Sequence, residues 1–116
     1  MSRQQLIDCI NEGFDNRDQA AAGEQELRGA VAEALRLLDN GSERVAIKQD
    51  GKWQVNDWLK KAVLLSFRFN QNRVFQGDAT RYFDKVGLKY ADYTEQQFRD
   101  AGVRVVPNAM VRHGAY

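Results

Sequence analysis

The strongest pattern of apolar positions lies between Asn56 and Asn72. Placed on a helical wheel, most of its side chains form one wide stripe: Trp58, Leu59, Ala62, Val63, Leu65, Ser66, Phe67 and Phe69. The opposite sector holds Lys60, Lys61, Leu64 and Arg68. A helix that is apolar over more than half of its circumference must be covered on several sides. The pattern therefore predicts a buried helix at the centre of the core, with Asn56 and Asp57 at its N-terminus.

Two further helical stripes precede this segment. Ser2 and Gln5 match a capping box, and the apolar residues that follow predict a first helix over about 2–15. A second stripe runs from Leu27 to Leu38 and ends before Gly41, which suits the left-handed position after a helix. With a polar connector between them, these helices predict an antiparallel helical hairpin over residues 1–41.

Residues 44–55 alternate in polarity around an Asp-Gly pair, which predicts a β-hairpin. A two-residue turn would place Ile47 opposite Gln54 and would leave apolar residues on conflicting faces. A three-residue loop, Gln49-Asp50-Gly51, instead pairs Ile47 with Trp53 and gives the hairpin one apolar face. We expect the three-residue loop on this ground.

The remaining chain shows shorter elements. They are extended segments at 73–77 and 80–86 around a turn at 78–79, a helix at 95–100 behind a Thr94/Gln97 capping box, and a strand at 103–106 ended by Pro107. Helices therefore come first, and strands mixed with helices follow. The predicted fold class is α+β: a helical N-terminal hairpin, a central buried helix and a small antiparallel sheet.

Composition limits the classes of function. The chain has 116 residues, enough for one domain, and a formal net charge of +1, which gives no bulk electrostatic case for binding nucleic acid or an anionic membrane. No apolar run approaches the roughly 18 residues of a membrane helix. A single cysteine, Cys9, leaves no internal disulfide and fits a reducing compartment, so we expect the cytoplasm. The sequence stops at Tyr116 without a terminal helix, so we expect an N-terminal piece of something longer.

The residue types needed for catalysis are sparse. His113 is the one histidine, while Cys9 and Ser66 lie in apolar helical stripes. Neither a nucleophile–histidine pair, a Cys/His metal spacing nor a glycine-rich phosphate loop is recognisable. We therefore predict no metal, no bound cofactor and no self-contained catalytic centre in this chain.

The arginines are more suggestive. Arg104 interrupts the apolar segment V-R-V-V-P, so strand alternation places it opposite Val103 and Val105. It could lie on a solvated face, or it could grip a carboxylate with two parallel hydrogen bonds. For Arg68 and Arg81 the solvated interpretation is the stronger one. The position of Arg104 in the sequence does not by itself decide between the two.

Four stretches of the chain carry a resemblance to a known family. They are Arg44 to Trp53; Trp58 to Arg68 (W-L-K-K-A-V-L-L-S-F-R); Arg81 to Val86 (R-Y-F-D-K-V); and R-V-V-P from Arg104, with V-R-H-G-A-Y from Val111. Together they resemble the N-terminal part of the tetrahydrodipicolinate N-succinyltransferases from about residue 27 onward. Asn108 and Thr80 depart from residues common in the family, and neither change touches a proposed contact.

The resemblance implies an acyltransferase of lysine and diaminopimelate biosynthesis. Such an enzyme moves succinyl from succinyl-CoA to the amino group of L-2-amino-6-oxopimelate, the ring-opened tetrahydrodipicolinate. It implies a homotrimer with an active site between subunits and CoA bound along a left-handed β-helix. Residues 1–109 would then form the acceptor-side domain, and residues 110–116 would begin the β-helix.

The resemblance also assigns a role to one residue. In the family, the arginine of the R-V-V-P segment contacts the dicarboxylate acceptor, and that position is Arg104 here. The catalytic base and the oxyanion donors would lie beyond this chain, as would most contacts to the co-substrate succinyl-CoA. The chain alone would then be inactive, and its partners would include neither nucleic acid nor membrane.

One rival class remains open. The same scaffold could be a non-catalytic interaction domain that presents Lys60, Lys61 and Arg68 as a basic face to an acidic partner. A helical nucleic-acid binder fits less well because the net charge is close to zero.

Overall fold

The computed structural model describes residues 1–19 and 23–116. Within them it has four helices and four strands: α1 (Arg3–Asp15), α2 (Glu24–Asp39), β1 (Ala46–Gln49), β2 (Lys52–Val55), α3 (Asp57–Phe69), β3 (Arg73–Gln76), β4 (Arg81–Asp84) and α4 (Glu95–Ala101). The predicted α+β class is confirmed. The middle of the predicted connector, residues 20–22, lies outside the described residues. No described helix is long and apolar enough to cross a membrane.

Helices α1, α2 and α3 pack together and form the core. The buried apolar residues are Leu6, Ile10, Leu27, Ala30, Val31, Ala34, Leu38, Trp58, Leu59, Ala62 and Leu65. In α3, Leu59 is 0% exposed and Leu65 is 2% exposed, whereas Leu64 on the polar side is 51% exposed. The central position predicted for α3 is therefore confirmed, since its apolar stripe contacts both other helices.

Local capping signals set most helix ends as predicted. The Ser2 hydroxyl accepts the backbone N–H of Gln5, and the Gln5 side chain accepts the N–H of Ser2 at 2.8 Å. Thr94 forms the same capping box at the start of α4. Gly41, just after α2, and Gly102, at the end of α4, take positive φ values of 78° and 65°. These ends follow from short-range sequence, so they were predictable.

The start of α3 differs in one respect. Asn56 precedes the helix as predicted, but its side chain makes no capping hydrogen bond. Its amide nitrogen instead donates to the backbone oxygen of Arg44 at 2.7 Å, and its N–H donates to Val45 at 2.7 Å. Asn56 therefore ties the first hairpin to the core helix.

The predicted register of the first hairpin is wrong. The structure pairs Ile47 with Gln54, which requires a two-residue turn. Asp50 and Gly51 both have positive φ, 51° and 74°, as a type I′ turn demands. The prediction assumed that one face of the hairpin is buried, yet Trp53 is 69% exposed. Without burial to select a face, the turn preference of Asp-Gly determines the register.

The predicted extended segments after α3 form a second hairpin. β3 pairs with β4 so that Val74 faces Phe83, and both side chains are more than half exposed, at 61% and 71%. The turn lies at Asp78-Ala79 as predicted, closed by the Gly77 N–H donating to Thr80 at 3.0 Å. The described residues therefore contain two separate two-stranded sheets, and not the single small sheet that was expected.

The strand predicted at 103–106 is also wrong. These residues run on from α4 without pairing to any strand of the described chain. The alternation itself is present, since Val103 and Val105 are half-buried while Arg104 and Val106 are exposed. A strand needs a hydrogen-bonding edge beside it, which a local apolar pattern cannot supply. We call residues 103–110 the arginine arm.

Candidate functional site

Arg104 projects from the arginine arm at the rim of a shallow depression beside α4. Phe98 and Val103 line its apolar part, and Arg99, paired with Glu95 at 2.9 Å, also lines it. Within residues 1–19 and 23–116, Arg104 makes no hydrogen bond and no ion pair. Its guanidinium therefore keeps its N–H donors available for a ligand from outside the chain. A planar donor fork of this kind matches a carboxylate in two parallel hydrogen bonds.

An aromatic cluster joins α4 to the segment before it, because Tyr90 and Tyr93 pack against Phe98 of the helix. The ring centroids of Tyr90 and Tyr93 lie 4.8 Å apart, and Phe98 lies 5.6 and 5.2 Å from them. Edge-to-face and tilted contacts of this kind add to the stabilisation from apolar burial. Since no residue of α4 is fully buried, this aromatic cluster is what holds the helix at the base of the arginine arm.

The other two arginines considered from sequence lie elsewhere. Arg68, near the end of α3, lies 3.3 Å from a carboxylate oxygen of Asp18. Arg81 is exposed on β4, where it pairs in register with Gln76. Neither contacts Arg104 in the structure. Their positions fit the solvated interpretation that the sequence favoured for both.

The basic face of α3 is partly used by internal contacts. The Lys61 ammonium donates to the side-chain oxygen of Asn11 at 2.8 Å and lies 3.8 Å from Asp57, with 26% of its side chain exposed. Arg68 pairs with Asp18, and Lys60 is exposed. A surface with two of its three cations already engaged is a weaker site for an acidic partner. The geometry therefore argues against the rival interaction domain.

Ser66 and Cys9, the two candidate nucleophiles, lie in environments that do not favour nucleophilic attack. The buried Ser66 hydroxyl donates to the oxygen of Val63 in its own helix at 2.6 Å. Burial of Cys9, helped by the charges of Glu26 and Glu12, raises the pKa of its thiol above the ordinary value of 9.0. A thiol held in its protonated form is a poor nucleophile. Among the residues described, no group of histidine, cysteine and acidic side chains could hold a metal ion.

A second concave surface, a groove between α1 and the start of α2, does not include Arg104. Its lining carries four acidic side chains, Asp8, Glu12, Glu24 and Glu26, and three basic ones, Arg17, Arg28 and Arg68. Two of these arginines already have acidic partners, since Arg28 pairs with Glu24 and Arg68 pairs with Asp18. The groove is therefore a weaker candidate for binding a dicarboxylate than the depression beside Arg104, whose guanidinium has no partner among the described residues.

Sequence reasoning missed a polar cluster at the C-terminal end of α2. One oxygen of Asp39 lies 3.0 Å from the Lys89 ammonium, accepts the Gly114 N–H at 2.8 Å, and lies 3.4 Å from a ring nitrogen of His113. Burial acts to raise the pKa of Asp39. The Gly114 hydrogen bond, Lys89 and His113 outweigh it and hold the pKa below its ordinary value of 3.8.

One signal in the sequence pointed to this cluster. Asp39 is the last residue of α2, and a carboxylate at a helix C-terminus is unfavourable next to the negative end of the helix dipole. Such an acid needs a cation nearby. The sequence could not identify that cation, because Lys89 lies far along the chain and several lysines were available.

Comparison with known proteins identifies the family. The model of the tetrahydrodipicolinate N-succinyltransferase N-terminal domain matches residues 5–69. The chain belongs to this family. The match starts well before residue 27, where the resemblance was judged to begin, and it spans the three helices of the core.

Relatives in this family carry the corresponding name. The 2,3,4,5-tetrahydropyridine-2,6-dicarboxylate N-succinyltransferase of Methylococcus capsulatus is 62% identical over 113 residues, which is 96% of this chain and 42% of the relative. The enzymes of that name from Alkalilimnicola ehrlichii and Psychrobacter arcticus are 54% and 51% identical, over 97% and 100% of this chain and again 42% of each relative. The chain thus spans about two fifths of the length of these N-succinyltransferases.

Proposed function

We propose that this chain is the acceptor-side domain of a tetrahydrodipicolinate N-succinyltransferase. The full-length enzyme would transfer succinyl from succinyl-CoA to the amino group of L-2-amino-6-oxopimelate, a cytoplasmic step of lysine and diaminopimelate biosynthesis. Membership of the family and the names of its relatives support this assignment.

Arg104 would hold one carboxylate of the acceptor. The observation that carries this role is an exposed guanidinium, without a partner among the described residues, on the rim of a depression floored by Phe98 and Val103. The acceptor is a dicarboxylate, so its site needs a fixed cation, and a guanidinium selects a planar carboxylate better than an ammonium does. The apolar floor would face the methylene chain between the two ends of the acceptor.

The chemical step would use groups outside this chain. The amine of the acceptor attacks the thioester carbonyl, a tetrahedral oxyanion forms, and CoA leaves as the thiol after taking up a proton. This step needs a proton acceptor and oxyanion donors. Ser66 is buried and hydrogen-bonded within its own helix, Cys9 is partly buried with a raised thiol pKa, and His113 contacts Asp39. We therefore place these groups in a β-helix that residues 110–116 begin, within a homotrimer, and we expect this chain alone to be inactive.

The test is steady-state kinetics of Arg104 variants of the full-length enzyme. We expect Arg104→Ala to raise the KM for the acceptor by about 10- to 100-fold, because a charge-assisted hydrogen bond contributes about 1.5–3 kcal/mol. Arg104→Lys keeps the charge but loses the fork, so it should recover only part of the affinity. The KM for succinyl-CoA should change little in both variants.

Arg36→Ala is the matched control. Arg36 is an exposed arginine on α2 that pairs with Glu33 at 2.7 Å, away from the depression. Its loss should leave both KM values unchanged. Equal changes for the two substrates in Arg104→Ala, or no change at all, would contradict the proposed role of Arg104.

A further inference from the structure

The last residues of the chain lie across the C-terminal end of α2. The ring of Tyr116 packs so closely on Gly41 that a Cβ atom there would lie 2.6 Å from it. The guanidinium of Arg44 lies 4.9 Å from the centre of the same ring. Gly114 donates its N–H to the side chain of Asp39 at 2.8 Å. The segment from Val111 to Tyr116 is therefore docked on the helical core.

Lys89 contacts both the end of α2 and the docked segment. Its ammonium donates to two backbone oxygens, those of Asp39 and Ala115, both at 2.7 Å, and forms an ion pair with the Asp39 carboxylate at 3.0 Å. Only 11% of the Lys89 side chain is exposed. This lysine therefore joins the end of α2 to the end of the chain.

The same residue belongs to a closed neck. The backbone N–H of Lys89 donates to the backbone oxygen of Val111 at 2.8 Å, and the backbone N–H of His113 donates to that of Gly87 at 2.9 Å. These two hydrogen bonds flank a β-bridge between Leu88 and Arg112. We call residues 87–89 and 111–113 the neck. All residues between its two sides form one loop, which contains the aromatic cluster, α4 and the arginine arm. The place of Arg104 relative to the core is therefore set at the neck.

We infer that Asp39 and Lys89 are positioning residues that clamp the neck to the end of α2, and so fix the arm that carries Arg104 relative to the core. The part of this inference that concerns acceptor binding rests on the proposed function. The clamp itself rests on contacts alone. Asp39 acts through Lys89 and Gly114 and does not touch the ligand.

Amide hydrogen exchange of the 116-residue chain tests the clamp without reference to activity. We expect Asp39→Ala to speed exchange of the Lys89 and His113 amides by about tenfold or more, since the neck opens locally when it is released. Amides of α3 should keep their exchange rates. The control is Glu33→Ala, which removes an exposed ion pair from the same helix and should leave the neck amides unchanged.

Two outcomes of this experiment overturn the clamp. One is unchanged exchange at Lys89 and His113 in Asp39→Ala. The other is equal acceleration in α3, which means that Asp39 supports global stability and has no local role at the neck. If Asp39→Ala does not fold, Asp39→Asn replaces it, because the amide keeps the size and one acceptor oxygen while it removes the charge that faces Lys89.

Kinetics of the full-length enzyme tests the positioning role. We expect Asp39→Asn to raise the acceptor KM about fivefold or more while the KM for succinyl-CoA changes less, because a displaced arm misplaces Arg104. If Arg104→Ala raises the acceptor KM but Asp39→Asn does not, the positioning role is overturned. If the neck amides respond as expected while Arg104→Ala has no effect, the clamp is supported and the proposed function fails.

Discussion

The replacement of Leu65 by alanine tests the central position of α3. Leu65 is 2% exposed and lies where α3 meets α1 and α2. The substitution removes three buried carbons, which at about 0.8 kcal/mol each gives about 2.4 kcal/mol of lost transfer free energy. The cavity left behind adds to this, within an observed range of about 2–5 kcal/mol for leucine to alanine. Leu65 also lines the groove between α1 and α2, so water can enter the space left by the substitution. We therefore expect Leu65→Ala to lower the free energy of unfolding by about 3 kcal/mol.

The neighbouring residue provides the control. Leu64 is on the same helix and loses the same atoms on change to alanine, but it is 51% exposed. Urea unfolding followed by far-ultraviolet circular dichroism measures both variants, with an unchanged denaturant slope as the sign that only stability has changed. We expect Leu64→Ala to lower the free energy of unfolding by about 1 kcal/mol, because about half of the side chain is already exposed and the same arithmetic gives half the transfer free energy. Similar losses in the two variants, or a loss below about 0.5 kcal/mol in Leu65→Ala, would refute the buried helix.

Two further predictions concern the end of α2. Gly41→Ala should cost about 1–2 kcal/mol, because alanine is strained at positive φ, and should shift the ring resonances of Tyr116 in NMR spectra. Gly102→Ala, which is also at positive φ but has open space around it, should leave those resonances unchanged, and an equal shift would be a contradiction. Because the folded state lowers the pKa of Asp39, its carboxylate should stabilise the fold above about pH 4 and lose this effect as the pH falls through the lowered pKa. The stability difference from Asp39→Asn should therefore shrink in acid, and a gap independent of pH would contradict the clamp.

Helices were predictable because their signals are local. The capping boxes at Ser2 and Thr94 and the glycine after α2 each lie within about one helical turn, and the apolar stripe lies within the 13 residues of α3. Residues this close in sequence form their hydrogen bonds with each other, so the pattern is enough to predict the helix. The fold class and the position of the core followed from these patterns.

The errors concern features that depend on where distant parts of the chain lie, such as burial of a hairpin face or a neighbouring strand. The register of the first hairpin was chosen for burial of Trp53, but this side chain is 69% exposed, so the preference of the turn decided. The segment after α4 has the alternation of a strand, but the described chain gives it no edge to pair with. The contact of Asp39 with Lys89 spans 50 residues, and nothing in the sequence near either residue identifies its partner.

The exposed position of Arg104 was predictable, whereas its role stays a prediction. The arginine in V-R-V-V-P was noticed as a polar residue in an apolar segment, and the structure places it outward, as alternation implies. Its link to a dicarboxylate came from the resemblance to a family and not from the pattern itself. The neck that sets the place of Arg104 could not be predicted, because it forms only when residues 87–89 and 111–113 meet in the folded chain.

The buried apolar side chains all lie between residues 6 and 65, whereas the arginine arm lies at 103–110. Substitutions in the arm thus remove nothing from the interior of the three-helix core. Under the proposed function, acceptor preference would then be free to diverge between related enzymes, or to be altered by design, with little loss of thermal stability. Selection on the arm would act through ligand binding, whereas selection on residues 6–65 would act through packing.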